Sequence, residues 1–207
     1  MMRARNQAAF WGVMTLGLSI FATNATGGPR DLLVQTQLDL QNVLSTASFE
    51  EEKDIQRLEK ADDRLAESLN LDFWADGSGN VPEDDGKKIF YAVRKAAKEL
   101  EKTEGRVPEV AGLPDAMFVA TCTISRDEIM YRLGSTMVDL DQQTVADLIE
   151  DGQGKELEKA LEKYLSALED RAQNEIPDAI KACKDAFKHA LKAPEPVVSS
   201  CEALGTC

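Results

Sequence analysis

Pro177-Asp178-Ala179-Ile180-Lys181-Ala182-Cys183-Lys184-Asp185-Ala186-Phe187-Lys188-His189-Ala190-Leu191 is the stretch on which the fold turns. Its proline stands in a first turn, where a helix tolerates one. Ile180, Cys183, Phe187 and Leu191 then recur at three- and four-residue intervals. That spacing puts one apolar face on a helix that stops at Pro194. A helix with a cysteine on its apolar face needs other helices to cover it.

Those neighbours are legible upstream. Leu157, Leu161, Tyr164, Leu165 and Leu168 mark the preceding helix, and Leu140 to Ile149 a shorter one closed by Asp151-Gly152-Gln153-Gly154. Asp115 is placed to cap a helix that presents Phe118, Cys122, Ile129 and Leu133 and ends near Gly134. Nearer the N-terminus, residues 30 to about 46 align Leu33, Leu40 and Leu44. Ser48-Phe49-Glu50-Glu51 reads as a capping box for a helix carrying Ile55, Leu58, Leu65 and Leu69. A third begins after Pro82, with acids in its first turn and Lys98 and Lys102 at its end, as the helix dipole favours. Its apolar positions are Ile89, Val93, Ala96, Ala97 and Leu100. No segment sustains the two-residue alternation of a strand. The expected fold is all-α, a bundle of about six or seven antiparallel helices over residues 26–192. The Pro- and Gly-rich stretch 104–114 is a connection, and a candidate boundary between halves 30–103 and 115–192.

The 207 residues carry 24 Lys and Arg against 37 Asp and Glu, a net charge of −13, yet 43% are hydrophobic. That is enough for a core, so the whole chain is not disordered. The acidity argues against nucleic-acid and anionic-membrane partners, which call for clustered Lys and Arg. Residues 1–25 read as a secretory signal: Arg3 and Arg5 supply the basic start, Ala8 to Ala22 the apolar run, and Thr23-Asn24-Ala25 a small-residue cleavage site. The run is shorter than the roughly 20 residues a spanning helix needs, which favours removal over retention as an anchor. Cleavage takes away two arginines and no acid, leaving −15. A secreted or periplasmic location follows, with no membrane association after signal removal.

Export places Cys122, Cys183, Cys201 and Cys207 where an even count of cysteines forms disulfides. Cys122 and Cys183 lie on apolar helix faces, whereas Cys201 and Cys207 lie in an aperiodic tail, 193–207. The favoured pairing is 122 with 183 and 201 with 207; the two long-range alternatives would pin the tail back on the bundle.

Residues 74–85 align on a calcium-binding loop, with Asp76, Ser78 and Asn80 at the third, fifth and seventh ligand positions and Asp85 at the twelfth. Trp74 stands where the first carboxylate belongs, and Asp85 is shorter than the usual Glu, so only weak divalent-cation binding is expected. The competing reading is an acidic turn capping the third helix. Phe73, Trp74, Phe90 and Tyr91 bracket this loop, and Trp74 and Phe90 are expected to seal the end of the bundle. His189, the one histidine, falls beside Lys188 on the polar side of the last helix. No nucleophile elbow, phosphate loop or dinucleotide fingerprint occurs, and no catalytic residue is expected.

The run from Arg57-Leu58-Glu59-Lys60-Ala61 through Phe73-Trp74-Ala75-Asp76 and Gly86-Lys87-Lys88-Ile89-Phe90 to Lys95-Ala96-Ala97-Lys98-Glu99-Leu100 resembles a helical module of exported, often multi-domain, bacterial and archaeal proteins. The resemblance covers about residues 55–192 and implies export and a helical fold, without an activity. Residues 179–191 with Pro194 are also similar to the second helix of a tetratricopeptide repeat, with no 34-residue period before them. The expectation is an exported structural or interaction module without catalysis, with a protein partner at the cell envelope or outside the cell. Its rival is a weak calcium or small-ligand binder using loop 76–85.

Overall fold

The computed structural model of the chain describes residues 27–74, 81–103, 105–134, 140–151 and 154–194. The expected signal, Asp76, Ser78, Asn80, Cys201 and Cys207 lie outside them. Seven helices occur among the described residues, and no strand: α1 Pro29–Thr46, α2 Glu52–Ser68, α3 Glu83–Glu101, α4 Leu113–Arg132, α5 Gln142–Asp151, α6 Lys155–Ala172 and α7 Ile176–Ala190. None of them is long and apolar enough to cross a membrane.

Helix starts depart from the expected caps in two places. The box at Ser48 does not form: Glu51 takes the N-cap position of α2 without a side-chain bond, and Glu52 and Asp54 occupy the first turn. Residues 47–51 stay non-helical, and from them Phe49 packs against the core. Asp115 is not a cap either. Gly112, at φ 89°, is the N-cap of α4, so the helix begins ahead of Asp115 and leaves that carboxylate free for Arg171, 2.8 and 2.9 Å away. The Asp141 carboxylate caps α5 by accepting the Thr144 N–H at 2.7 Å, which holds its pKa below the ordinary value. Asn174, at φ 63°, closes α6 in the left-handed conformation, and the following N–H, of Glu175, returns to the Asp170 carbonyl at 2.9 Å.

One hydrophobic cluster runs from Leu33 in α1 to Ala193 beyond α7. Helix α4 sits in its middle, against α1, α3, α6 and α7. Its buried residues, among them Met117, Phe118, Thr121, Ile124 and Ile129, spread over a face broader than a single stripe and leave Arg126 and Asp127 on the outer side. The connection between α3 and α4 is itself packed, with Val107 and Val110 buried. Sequential helices α2 and α3 run antiparallel, as do α6 and α7; the non-sequential pair α4 and α7 runs parallel, with residue 122 beside 183 and 132 beside 193.

Cys122 and Cys183 form the expected disulfide, with Cα atoms 5.3 Å apart. It closes a loop of 61 residues, which in the chain-entropy account is worth on the order of 4 kcal/mol. Next to it the buried Ser125 hydroxyl donates to the Cys183 carbonyl at 2.7 Å.

Helix α3 meets α7 through Phe90 and Phe187, whose ring centroids lie 5.6 Å apart. Gly86 allows this approach, since a Cβ there would stand 2.5 Å from a ring carbon of Phe187. Two effects therefore compete in Gly86→Ala. Helix propensity favours alanine by about 1 kcal/mol, whereas overpacking against a buried ring costs about 1–3 kcal/mol. Overpacking wins, because Phe187 is held by Phe90 and cannot swing away. We expect Gly86→Ala to lower the urea midpoint, while Gly105→Ala, with open space around it, does not; equal midpoints would refute the close packing.

Candidate functional site: the Trp74 end of the bundle

The sequence directs attention to the end of the bundle where α2 gives way to α3. After α2 the chain makes a 3-10 turn, Leu71–Phe73, capped by the Asn70 side chain accepting from the Asp72 N–H at 3.2 Å. Trp74 follows, only 3% exposed, with its indole N–H donating to the Ser68 carbonyl at 2.9 Å. Phe90 is as deeply buried. Both therefore seal the bundle, as expected. Their neighbours in sequence do the opposite: Leu71 is 68% and Tyr91 54% exposed. Phe73 lies partly buried beneath the Lys88 ammonium, 5.0 Å from the ring centroid.

Asp85 is the one member of the proposed metal quartet among the described residues. Its Oδ1 accepts from Lys88 at 2.8 Å within the first turn of α3. An ammonium thus already occupies the carboxylate, and a divalent cation would have to displace it. No group of three or more potential metal ligands converges among the described residues. At the opposite end, a cleft lined by Glu101, Gly112, Asp115, Asn174 and Pro177 holds about 50 Å³. Small-molecule pockets run to several hundred cubic ångströms, so this one has room only for solvent or a small ion.

His189 is on the polar side of α7, as expected, but it is not a free surface residue. Three-quarters covered, its Nδ1 lies 2.9 Å from Glu156 Oε2 and ties the end of α7 to the start of α6. Lys159 adds a second contact at 3.1 Å. The hydrogen bond from His189, then that from Lys159, holds the Glu156 carboxyl down at about 2.

Sequence reasoning missed the polar cluster at the start of α2. Asp54 is buried, and its two oxygens accept from the Arg106 fork at 2.6 and 2.7 Å and from Arg57 at 3.3 Å. The Arg106 hydrogen bonds keep its carboxyl below the ordinary range against the opposing effect of burial. A signal for it was present: Asp54, Leu58, Ala61, Leu65 and Ser68 share one helical spacing, so a carboxylate stands in line with the apolar face. Among buried hydroxyls, Thr36, Ser68 and Thr121 donate to carbonyls of their own helices, Thr103, just past α3, to that of Leu100, and Ser125 to that of Cys183. These hydroxyls complete the packing rather than face a base.

Two outcomes follow. The folded value for Glu156 lies below the ordinary 4.5, so its stabilising contribution is complete above that pH and is lost as pH falls from 4.5 towards 2. The urea midpoint of the wild type should drop more steeply across that window than that of Glu156→Gln; parallel curves would remove the His189 pair from the stability of the hairpin. Calcium at millimolar concentration should leave Trp74 fluorescence unchanged, and a saturable change would return loop 76–85 to metal binding.

Comparison of the chain with family models, with curated proteins and with solved structures finds no match.

Proposed function

We propose that the chain is exported and works outside the cytoplasm, secreted or periplasmic, as a non-catalytic helical module that holds protein partners. The observation that carries this is the Cys122–Cys183 disulfide inside the core. Such a crosslink forms and persists in oxidising compartments and is rare in the cytosol. The basic and apolar character of residues 1–25 supports the same reading independently.

The test is a fusion of residues 1–30 to a phosphatase that is active only after export, together with mass mapping of the mature chain without reduction. We expect phosphatase activity, an N-terminus at Thr26 and a crosslinked peptide pair containing Cys122 and Cys183. An inactive fusion with both cysteines recovered as free thiols would overturn export.

A further inference from the structure

The chain is acidic, yet its charges are not evenly spread over the bundle. Along α3, Lys88, Tyr91, Lys95, Lys98 and Lys102 follow three- and four-residue steps and share the face opposite the buried Ile89, Val93, Ala96 and Leu100. That row is about 21 Å long at the helical rise. Helix α2 runs antiparallel beside it. The Arg57 guanidinium donates to the Lys102 carbonyl at 3.3 Å at one end, Phe73 lies under Lys88 at the other, and Arg64 is within electrostatic reach of Tyr91 between them. Lys60 is three residues after Arg57 and four before Arg64, so it stands on this same side of α2.

Four carboxylates temper the face: Asp85 takes Lys88 at 2.8 Å, Glu99 takes Lys102 at 2.7 Å, Glu67 takes Arg64 at 2.6 Å and Asp54 takes Arg57 at 3.3 Å. Lys60, Lys95 and Lys98 have no ion-pair partner among the described residues. Lys95 lies over the exposed Tyr91 ring, 5.2 Å from its centroid, and Leu71 stands exposed at the end of the hairpin. Like charges this close oppose one another unless an anion lies between them.

We propose that the outer α2/α3 face is the docking surface of the module and that its occupant is a short acidic segment of a partner protein. This rests on the interaction-module reading. Charge complementarity selects an anionic occupant, and the net charge of −13 selects a short one. A membrane or a nucleic-acid duplex extends past the edges of a 21 Å strip and meets the acidic remainder of the chain, whereas a segment of about 14 helical residues covers the lysines alone. Tyr91, exposed within the strip nearer Lys88 than Lys102, supplies apolar contact off its centre and so gives it a direction.

The experiment is a titration of isotope-labelled protein, residues 26–207, with a 14-residue glutamate-rich peptide, and in parallel with vesicles of pure phosphatidylglycerol. Amide shifts should cluster on the outer faces of α2 and α3, disappear in 0.3 M salt, and weaken about tenfold or more in Lys60→Glu/Lys95→Glu/Lys98→Glu. The charge-matched Lys155→Glu/Lys163→Glu/Lys181→Glu, on other helices, should bind as wild type. Circular dichroism keeps the triple variant interpretable by showing that it remains folded. Absence of binding, shifts elsewhere on the bundle, an unweakened triple variant, or preference for the vesicles would each overturn the assignment. All four outcomes leave export and the phosphatase result where they were, so this surface can fail without the module failing.

Discussion

The parallel contact between α4 and α7 is the joint around which the rest of this structure is arranged. Helix α4 touches α1, α3, α6 and α7. Thr121 bonds back to Met117, Ser125 crosses to the Cys183 carbonyl, and Cys122 is covalently joined to the same residue of α7. Because α4 and α7 are parallel and not sequential, no short hairpin can hold them together. Their pairing closes a long loop, whose entropy opposes association until the packing forms. The disulfide acts on that term, which is why it is more useful between these helices than between the already adjacent α6 and α7.

The cations of the chain are sorted by type. Arginine makes the long-range ties: Arg106 to Asp54, Arg171 to Asp115, Arg94 to the Pro177 carbonyl and Asp178, and Arg132 to the Ala193 carbonyl. Each reaches from one element to the end of another, where unpaired carbonyls and carboxylates collect. A planar fork with several donors suits that task, and Arg171 also lies over the Phe118 ring at 4.9 Å. Lysine, a hydrated point charge on a flexible stem, is left to the outer helix faces. On the outer face of α2 and α3, Lys60, Lys95 and Lys98 stand beside Arg64, which makes only a local pair with Glu67.

Much of the architecture was legible because helical periodicity is a short-range signal. The all-helical fold, Pro177 at the start of α7, the connection after α3 and the placement of Cys122 and Cys183 on apolar helix faces follow from spacings within one or two turns, which leave their pairing as the favoured one of three. What escaped was long-range. Asp54 meets Arg106 across 52 residues, Asp115 meets Arg171 across 56, and Glu156 meets His189 across 33. In sequence each of these acids has a sufficient local explanation, as a first-turn residue or a cap, and that explanation hides the distant partner. The surroundings of α4 were underread for a related reason: its buried positions spread over more than one face, and the polar contrast is confined to residues such as Arg126 and Asp127 near its end.

The same joints that stabilise the bundle also fix the geometry of its outer face. At one end of the α2/α3 hairpin, Arg57 and Arg106 both bond the Lys102 carbonyl, and Arg106 grips Asp54. At the other, Trp74 is bonded to Ser68 and Gly86 lies against Phe187. With both ends held, the axial offset between the lysine of α2 and those of α3 is set by the backbone, while the ammonium groups keep their rotational freedom. A ligand meeting such a face gains from the fixed spacing of the stems and loses only the entropy of the side-chain tips. Recognition of this kind depends on the pattern and sign of charge more than on shape, and it needs no preformed cavity.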